Sequence, residues 1–178
     1  MIIQKVFISL ITSSMRRDSP STCDSKIHHN NMINNILPKM QANLANCADA
    51  IMLDLHGFVS ETNATSATNA TNIFMVDNVV VLTPTANHCL PGITRETVLA
   101  LTKEMGIPSE VRNISLAEFH AADEVFTTGT MGELTPVTMI DGRVIGNGQR
   151  GPVTEQLQAV YKTLPEREGM ATELPMFE

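Results

Sequence analysis

One carboxylate, Glu61, stands between an apolar run and a tract of small polar residues in the stretch AIMLDLHGFVSETNATSATNATNIF, residues 50–74. The run turns at His56-Gly57 and returns through Phe58-Val59-Ser60, a β-hairpin pattern that places Glu61 on the returning strand. A lone glutamate on a hairpin is ordinarily solvated, so its neighbours decide its meaning. Gly92-Ile93-Thr94 precede a helix expected from Arg95 to Met105. Their backbone N–H groups and the Thr94 hydroxyl would lie at a helix N-terminus suited to a phosphate dianion; a plain N-cap is the alternative for Thr94. His28 stands at a strand-to-helix junction, and an imidazole with a reference pKa near ~6.5 could serve there as a general base or simply as a polar linker. If residues 25–28 are extended, Lys26 faces the same side as His28 at roughly 6–7 Å.

These groups need a frame. Alternating Val6, Ile8 and Leu10 in MIIQKVFISLITSS fit a β-strand better than a secretory signal. A polar connection, Met15 to Pro20, leads to a helix expected from Asn31 to Leu44, with Met32, Ile36, Met40 and Leu44 at helical spacing as its core face. Pro38 inside it removes the bond to the Asn34 carbonyl, at a cost of about 3 kcal/mol unless the helix kinks. Asn46 can take the left-handed stop position. Asp77-Asn78 make a turn before the strand Val79 to Thr83, and Glu110 to Ile114 is strand-like. Ser115 caps a short helix to Ala122 with Glu118 three residues on. The last hairpin turns at Asp141-Gly142, a final helix is expected over Gly148 to Tyr161, and the acidic tail from Leu164 is expected to fray.

At 178 residues and 43% hydrophobic content the chain can bury one sizeable core. A formal charge of −7 without a basic cluster argues against nucleic acid. Cys23, Cys47 and Cys89 lie far apart without a Cys-x-x-Cys spacing, so neither a metal site nor a disulfide framework is indicated, and a reduced, cytoplasmic compartment is expected. The Asn-x-Ser/Thr triplets at Asn63, Asn69 and Asn113 are read as coincidental. No apolar run is long enough to span a membrane.

Several motifs then agree in order. Arg16-Arg17, KIHHNNMINNIL, MLDLHGFVSET, Asn72-Ile73-Phe74, CLPGITRE and DEVFTTGTMGELTPV resemble the class IV (fold type IV) pyridoxal-phosphate aminotransferases, branched-chain type, over about Val6 to Tyr161. The resemblance implies an α/β fold, a mixed-sheet pseudo-barrel with surrounding helices. It implies that residues 1–163 form the cofactor domain, with 164–178 a tail and the family's N-terminal small domain, roughly a hundred residues, absent. Glu61 falls on the carboxylate that keeps the cofactor's pyridine nitrogen protonated, which makes pyridoxal 5'-phosphate an electron sink. Gly92, Ile93, Thr94 and Thr130 fall at the phosphate, Leu90 at the ring face and Gly129 near the substrate carboxylate. The implied reaction moves an amino group from a hydrophobic amino acid to a 2-oxo acid, in a homodimer.

Two departures weigh against full activity. Ungapped alignment puts His28 where the family has its Schiff-base lysine, and an imidazole cannot replace an amine in that bond. Lys26 is the substitute nearest in sequence. The repeat NATSATNAT also adds six residues, Ser66 to Thr71, between Glu61 and Asn72, which would cost little at a hairpin tip but would displace Asn72 in a loop lining the cofactor. An impaired aminotransferase is therefore expected; the alternative is a non-catalytic remnant that binds cofactor or acts only in subunit association.

Overall fold

A computed structural model describes residues 7–27, 30–62, 71–129 and 132–167. His28, Thr130 and most of the NATSATNAT repeat lie outside the described residues. The first strand, β1 (Ile8–Arg16), is followed by α1 (Ile33–Leu44) and by the hairpin β2 (Asp49–Leu53) and β3 (Val59–Thr62). Next come β4 (Asn72–Asp77), β5 (Val80–Thr83), α2 (Ile93–Glu104), β6 (Ser109–Val111) and α3 (Leu116–Ala121). The chain continues through β7 (Glu124–Gly129), β8 (Glu133–Ile140), β9 (Arg143–Val144) and α4 (Pro152–Arg167).

The described strands make one mixed sheet in the order β3-β2-β1-β8-β7-β4-β5-β6, with β9 beside β8. β1 runs parallel to both β2 and β8, and the pairs β2/β3, β7/β8 and β4/β7 are antiparallel. The sheet curls until a bridge between Thr62 and Thr71 joins the end of β3 to the start of β4. That closure makes the expected pseudo-barrel.

Side chains alternate across a strand, and β4 is apolar on both faces because both are covered. Ile73 and Met75 join Leu10, Ile51, Val125, Val137 and Phe119 in one core. Phe74 and Val76 join Val98 and Leu101 of α2 and Val153 and Leu157 of α4 in the other. Phe74 opposes Phe126 in register and stacks on it, centroids 5.0 Å apart and planes within 3°.

The hairpin turn at Gly57 (φ +89°) and the left-handed Asn46 (φ +53°) are as the sequence predicts, as is the turn at Asp141-Gly142. Ser115 and Glu118 form the expected reciprocal cap of α3. Three expectations are corrected. The buried face of α1 is Asn34, Pro38 and Ala42, whereas Ile36, Met40 and Leu44 are exposed, Leu44 at 85%. The helix turns its polar and small residues inward because Asn34 is needed beneath it as a partner for a buried arginine, Arg17. The final helix starts at Pro152 rather than Gly148, since Gly146 and Gly148 hold left-handed φ values of +52° and +74°, and it runs to Arg167 with Leu164 packed on the core. Finally, α2 begins at Ile93 with Gly92 as its N-cap, so Thr94 is not the cap.

Candidate active site

Glu61 lies on β3 opposite Met52 of β2 and is 1% exposed, which removes the solvated reading. Its neighbour is Arg17, the residue after β1, whose backbone N–H donates to the Leu53 carbonyl at 2.8 Å. Arg17 Nε stands 2.6 Å from Glu61 Oε1, both side chains buried. The contact is Coulombic rather than an aligned hydrogen bond: among the described residues neither Glu61 oxygen nor Arg17 Nε has a hydrogen-bond partner. The guanidinium is fixed from its other end, where Nη1 donates to Asn34 Oδ1 (3.1 Å) and Asn35 Oδ1 (2.8 Å). Asn34 is itself held, donating to the Arg16 carbonyl at 2.9 Å. This contact explains the inward face of α1.

Burial pushes the Glu61 carboxyl up to about 7, against the pull of Arg17. A buried carboxylate with two unmatched oxygens is unfavourable by itself. A ring N–H⁺ brought to it would give the missing donor and favour the ionised form. The residues present therefore fit a protonated heterocycle.

The other candidate residues lie on the segment leading from β5 into α2. Asn72, first residue of β4, accepts the Gly92 N–H at Oδ1 (3.1 Å) and donates through Nδ2 to the Leu90 carbonyl (3.0 Å). The Gly92 N–H, expected among the phosphate donors, is thus already engaged. The N–H groups of Ile93 and Thr94, in the first turn of α2, have no acceptor within the helix. Thr94 is buried, while Leu90 and Ile93 are 51% and 87% exposed. Gly129 ends β7, and a Cβ there would sit 2.9 Å from Thr71 Cγ2, so a larger residue would press on the Thr71 methyl. Lys26 is exposed, and its ammonium donates to the Asn87 carbonyl at 3.2 Å. The structure thus sets Glu61, Gly129 and the Leu90–Thr94 segment around the Thr62–Thr71 closure, and Lys26 against the loop that leads to Leu90. His28 and Thr130 fall outside the described residues.

Arg17 is not legible as a site residue in the sequence, because a cation next to a turn carries no sign of which buried acid it meets. The Asn72 amide is engaged at both ends, with the Gly92 N–H and the Leu90 carbonyl.

The model of the family described as Amino-transferase class IV matches residues 3–140. The chain belongs to the class IV aminotransferases. Within this family it is 60% identical over 163 residues to the branched-chain-amino-acid aminotransferase-like protein 2 of Arabidopsis thaliana, covering 92% of this chain and 28% of that protein. It is 39% identical over 155 residues to the branched-chain-amino-acid aminotransferase of Pseudomonas aeruginosa, 86% of this chain and 48% of that one. Among solved structures, the branched-chain amino acid aminotransferase of Escherichia coli superposes with a TM-score of 0.82 at 34% identity, over 89% of this chain and 52% of that one. The chain thus spans about half the length of these two branched-chain aminotransferases and 28% of the Arabidopsis protein. The curled mixed sheet is the fold type IV architecture, and the cofactor of this class IV family is pyridoxal phosphate. No helix among the described residues is long and apolar enough to cross a membrane, and no cluster of three or more His, Cys, Asp or Glu among them could hold a metal.

Proposed function

We propose that this chain carries the cofactor site of a branched-chain-type aminotransferase, acting on a hydrophobic amino acid and a 2-oxo acid. The buried, hydrogen-bond-deficient Glu61 carboxylate beside Arg17 carries this reading. When bound, pyridoxal phosphate supplies an electron-withdrawing ring that stabilises negative charge on the substrate's α-carbon. Glu61 would accept the hydrogen bond of the ring nitrogen and hold its proton there. Arg17 favours the charged form of Glu61, and Asn34 and Asn35 keep Arg17 in place. The Ile93 and Thr94 N–H groups and the Thr130 hydroxyl would hold the phosphate, Leu90 would pack on the ring, and Gly129 would leave room near the substrate carboxylate.

His28 at the lysine position makes turnover weak, because an imidazole forms no stable link to the cofactor carbonyl. A second reading, cofactor binding or subunit association without catalysis, is favoured by that same residue and by the engagement of Lys26 with the Asn87 carbonyl. Pairing with a second copy is supported by the exposed apolar stripe of α1, Ile33, Ile36, Leu37, Met40 and Leu44, since such patches mark interaction sites. A reducing cytoplasmic setting fits three cysteines that form no disulfide. The test is transamination of leucine, isoleucine and valine with 2-oxoglutarate, run beside a titration with pyridoxal phosphate and with unphosphorylated pyridoxal. Turnover establishes the first reading; phosphate-dependent binding without turnover establishes the second; equal affinity for the two aldehydes removes both cofactor readings.

A further inference from the structure

Asn72 joins the two halves of the site. Its side chain is 6% exposed and uses both ends of its amide on one loop: Oδ1 on the Gly92 N–H, Nδ2 on the Leu90 carbonyl, with Cys89 Sγ 3.6 Å from Nδ2. Gly92 can come this close because it lacks a side chain; a Cβ there would lie 2.5 Å from Asn72 Oδ1. The Asn72 backbone is equally fixed. It pairs with Thr128, whose hydroxyl donates to the Asn72 carbonyl at 3.4 Å. The preceding residue, Thr71, exchanges two backbone hydrogen bonds with Thr62, at 2.9 and 3.2 Å, and the two threonine hydroxyls are also hydrogen-bonded. Thr62 directly follows Glu61. The path from the Glu61 carboxylate to the first turn of α2 therefore runs through the Thr62–Thr71 bridge and one side-chain amide.

We infer that Asn72 is the positioning residue that sets the first turn of α2 at a fixed distance from Glu61, so that the site selects a pyridine whose ring nitrogen and phosphate have one separation. This rests on the cofactor reading above. Asparagine suits the task because the loop presents one N–H and one carbonyl, and its amide answers them with two separate atoms, Oδ1 and Nδ2. Alanine answers neither, and it frees the loop without touching Glu61 or the phosphate donors themselves.

The test is calorimetric titration of the folded chain with pyridoxamine 5'-phosphate and with pyridoxamine, amines that do not condense with surface lysines. The wild type is expected to prefer the phosphorylated ligand strongly. Asn72→Ala is expected to reduce that preference at least tenfold while pyridoxamine affinity stays within twofold, and Gly92→Ala, which pushes against the same amide from the loop side, is expected to do the same. Circular dichroism and the urea midpoint identify folded protein, and Gly92→Ala provides the answer if Asn72→Ala fails to fold. An unchanged preference in the folded variants, or an equal loss for both ligands, overturns the inference while leaving the cofactor reading intact. A wild type without any preference overturns the cofactor reading, and the inference with it.

Discussion

Glu61 and Glu124 are 1% and 6% exposed, yet their surroundings are opposite. Glu124, at the start of β7, accepts the N–H groups of Val153 and Thr154 and the Thr154 hydroxyl at 2.9, 2.8 and 2.6 Å. It caps α4, and its charge complements the helix N-terminus. Gly151 makes room for it, since a Cβ there would lie 2.0 Å from the Glu124 carboxyl carbon. Glu61 has one ionic neighbour and no aligned donor. Burial alone therefore does not distinguish a structural acid from a functional one; the balance of donors does. A buried carboxylate whose donors are complete belongs to the fold, and one whose donors are incomplete is prepared for a ligand.

Substitutions should separate the two. Glu124→Ala removes three hydrogen bonds and leaves the α4 N-terminus uncapped, and it should cost roughly 3 kcal/mol in urea unfolding, with pyridoxamine 5'-phosphate affinity per folded molecule unchanged. Arg17→Gln removes the cation that lowers the Glu61 pKa and should cost about as much at pH 8, because it leaves a buried acid without its partner. Its cost should shrink at pH 5, where Glu61 is neutral. Glu61→Gln should weaken pyridoxamine 5'-phosphate about 10- to 100-fold, the value of roughly 1.5–3 kcal/mol for a hydrogen bond to a charged group. Equal binding losses in Glu124→Ala and Glu61→Gln would erase the distinction.

A pH series sharpens it further. Folded Glu61 keeps its proton up to about 7, whereas an unperturbed glutamate releases it near 4.5. The folded state thus binds more protons between those values, and stability should fall as pH rises from about 4.5 to about 7. Asp49, pushed up to about 8 by burial, adds a decline of the same sign that begins near its ordinary 3.8. Glu61→Gln should flatten the first decline and leave the second, as read from urea midpoints between about pH 4.5 and 8.5. The smallest effects belong to α1: Leu44→Gln should change the stability of the unpaired chain by no more than about 0.5 kcal/mol. Ala42→Leu, on the buried face, should cost about 1–3 kcal/mol through overpacking.

The element types were legible wherever local chemistry decides them. Gly57 and Asn46 mark a turn and a helix stop by their tolerance of positive φ, and Ser115 with Glu118 marks a helix start. The inner face of α1 was not legible. Its apolar stripe, Ile36, Met40 and Leu44, has the spacing of a core face, but the helix packs through Asn34, Pro38 and Ala42 because a buried arginine 17 residues from Asn34 needs amide partners. The same long-range demand hid Arg17. Glu61 and the Gly92–Thr94 turn could be found from local pattern, and the hold of Asn72 on that turn could not, since it depends on two segments meeting in space.

The place of β1 also bears on how the chain folds. This strand lies between β2 and β8, and Leu10 pairs with Asp49 on one side and with Ile140 on the other. The second pairing joins residues 130 positions apart, and the Asp141 N–H closes onto the Leu10 carbonyl just beyond it. During synthesis one edge of β1 therefore has no strand partner until nearly the whole sheet has been made. Closing so large a chain loop before its contacts form is entropically costly, and such high contact order slows folding. A chain that ends before β8 presents that unpaired edge to other chains, which favours rapid completion of the sheet.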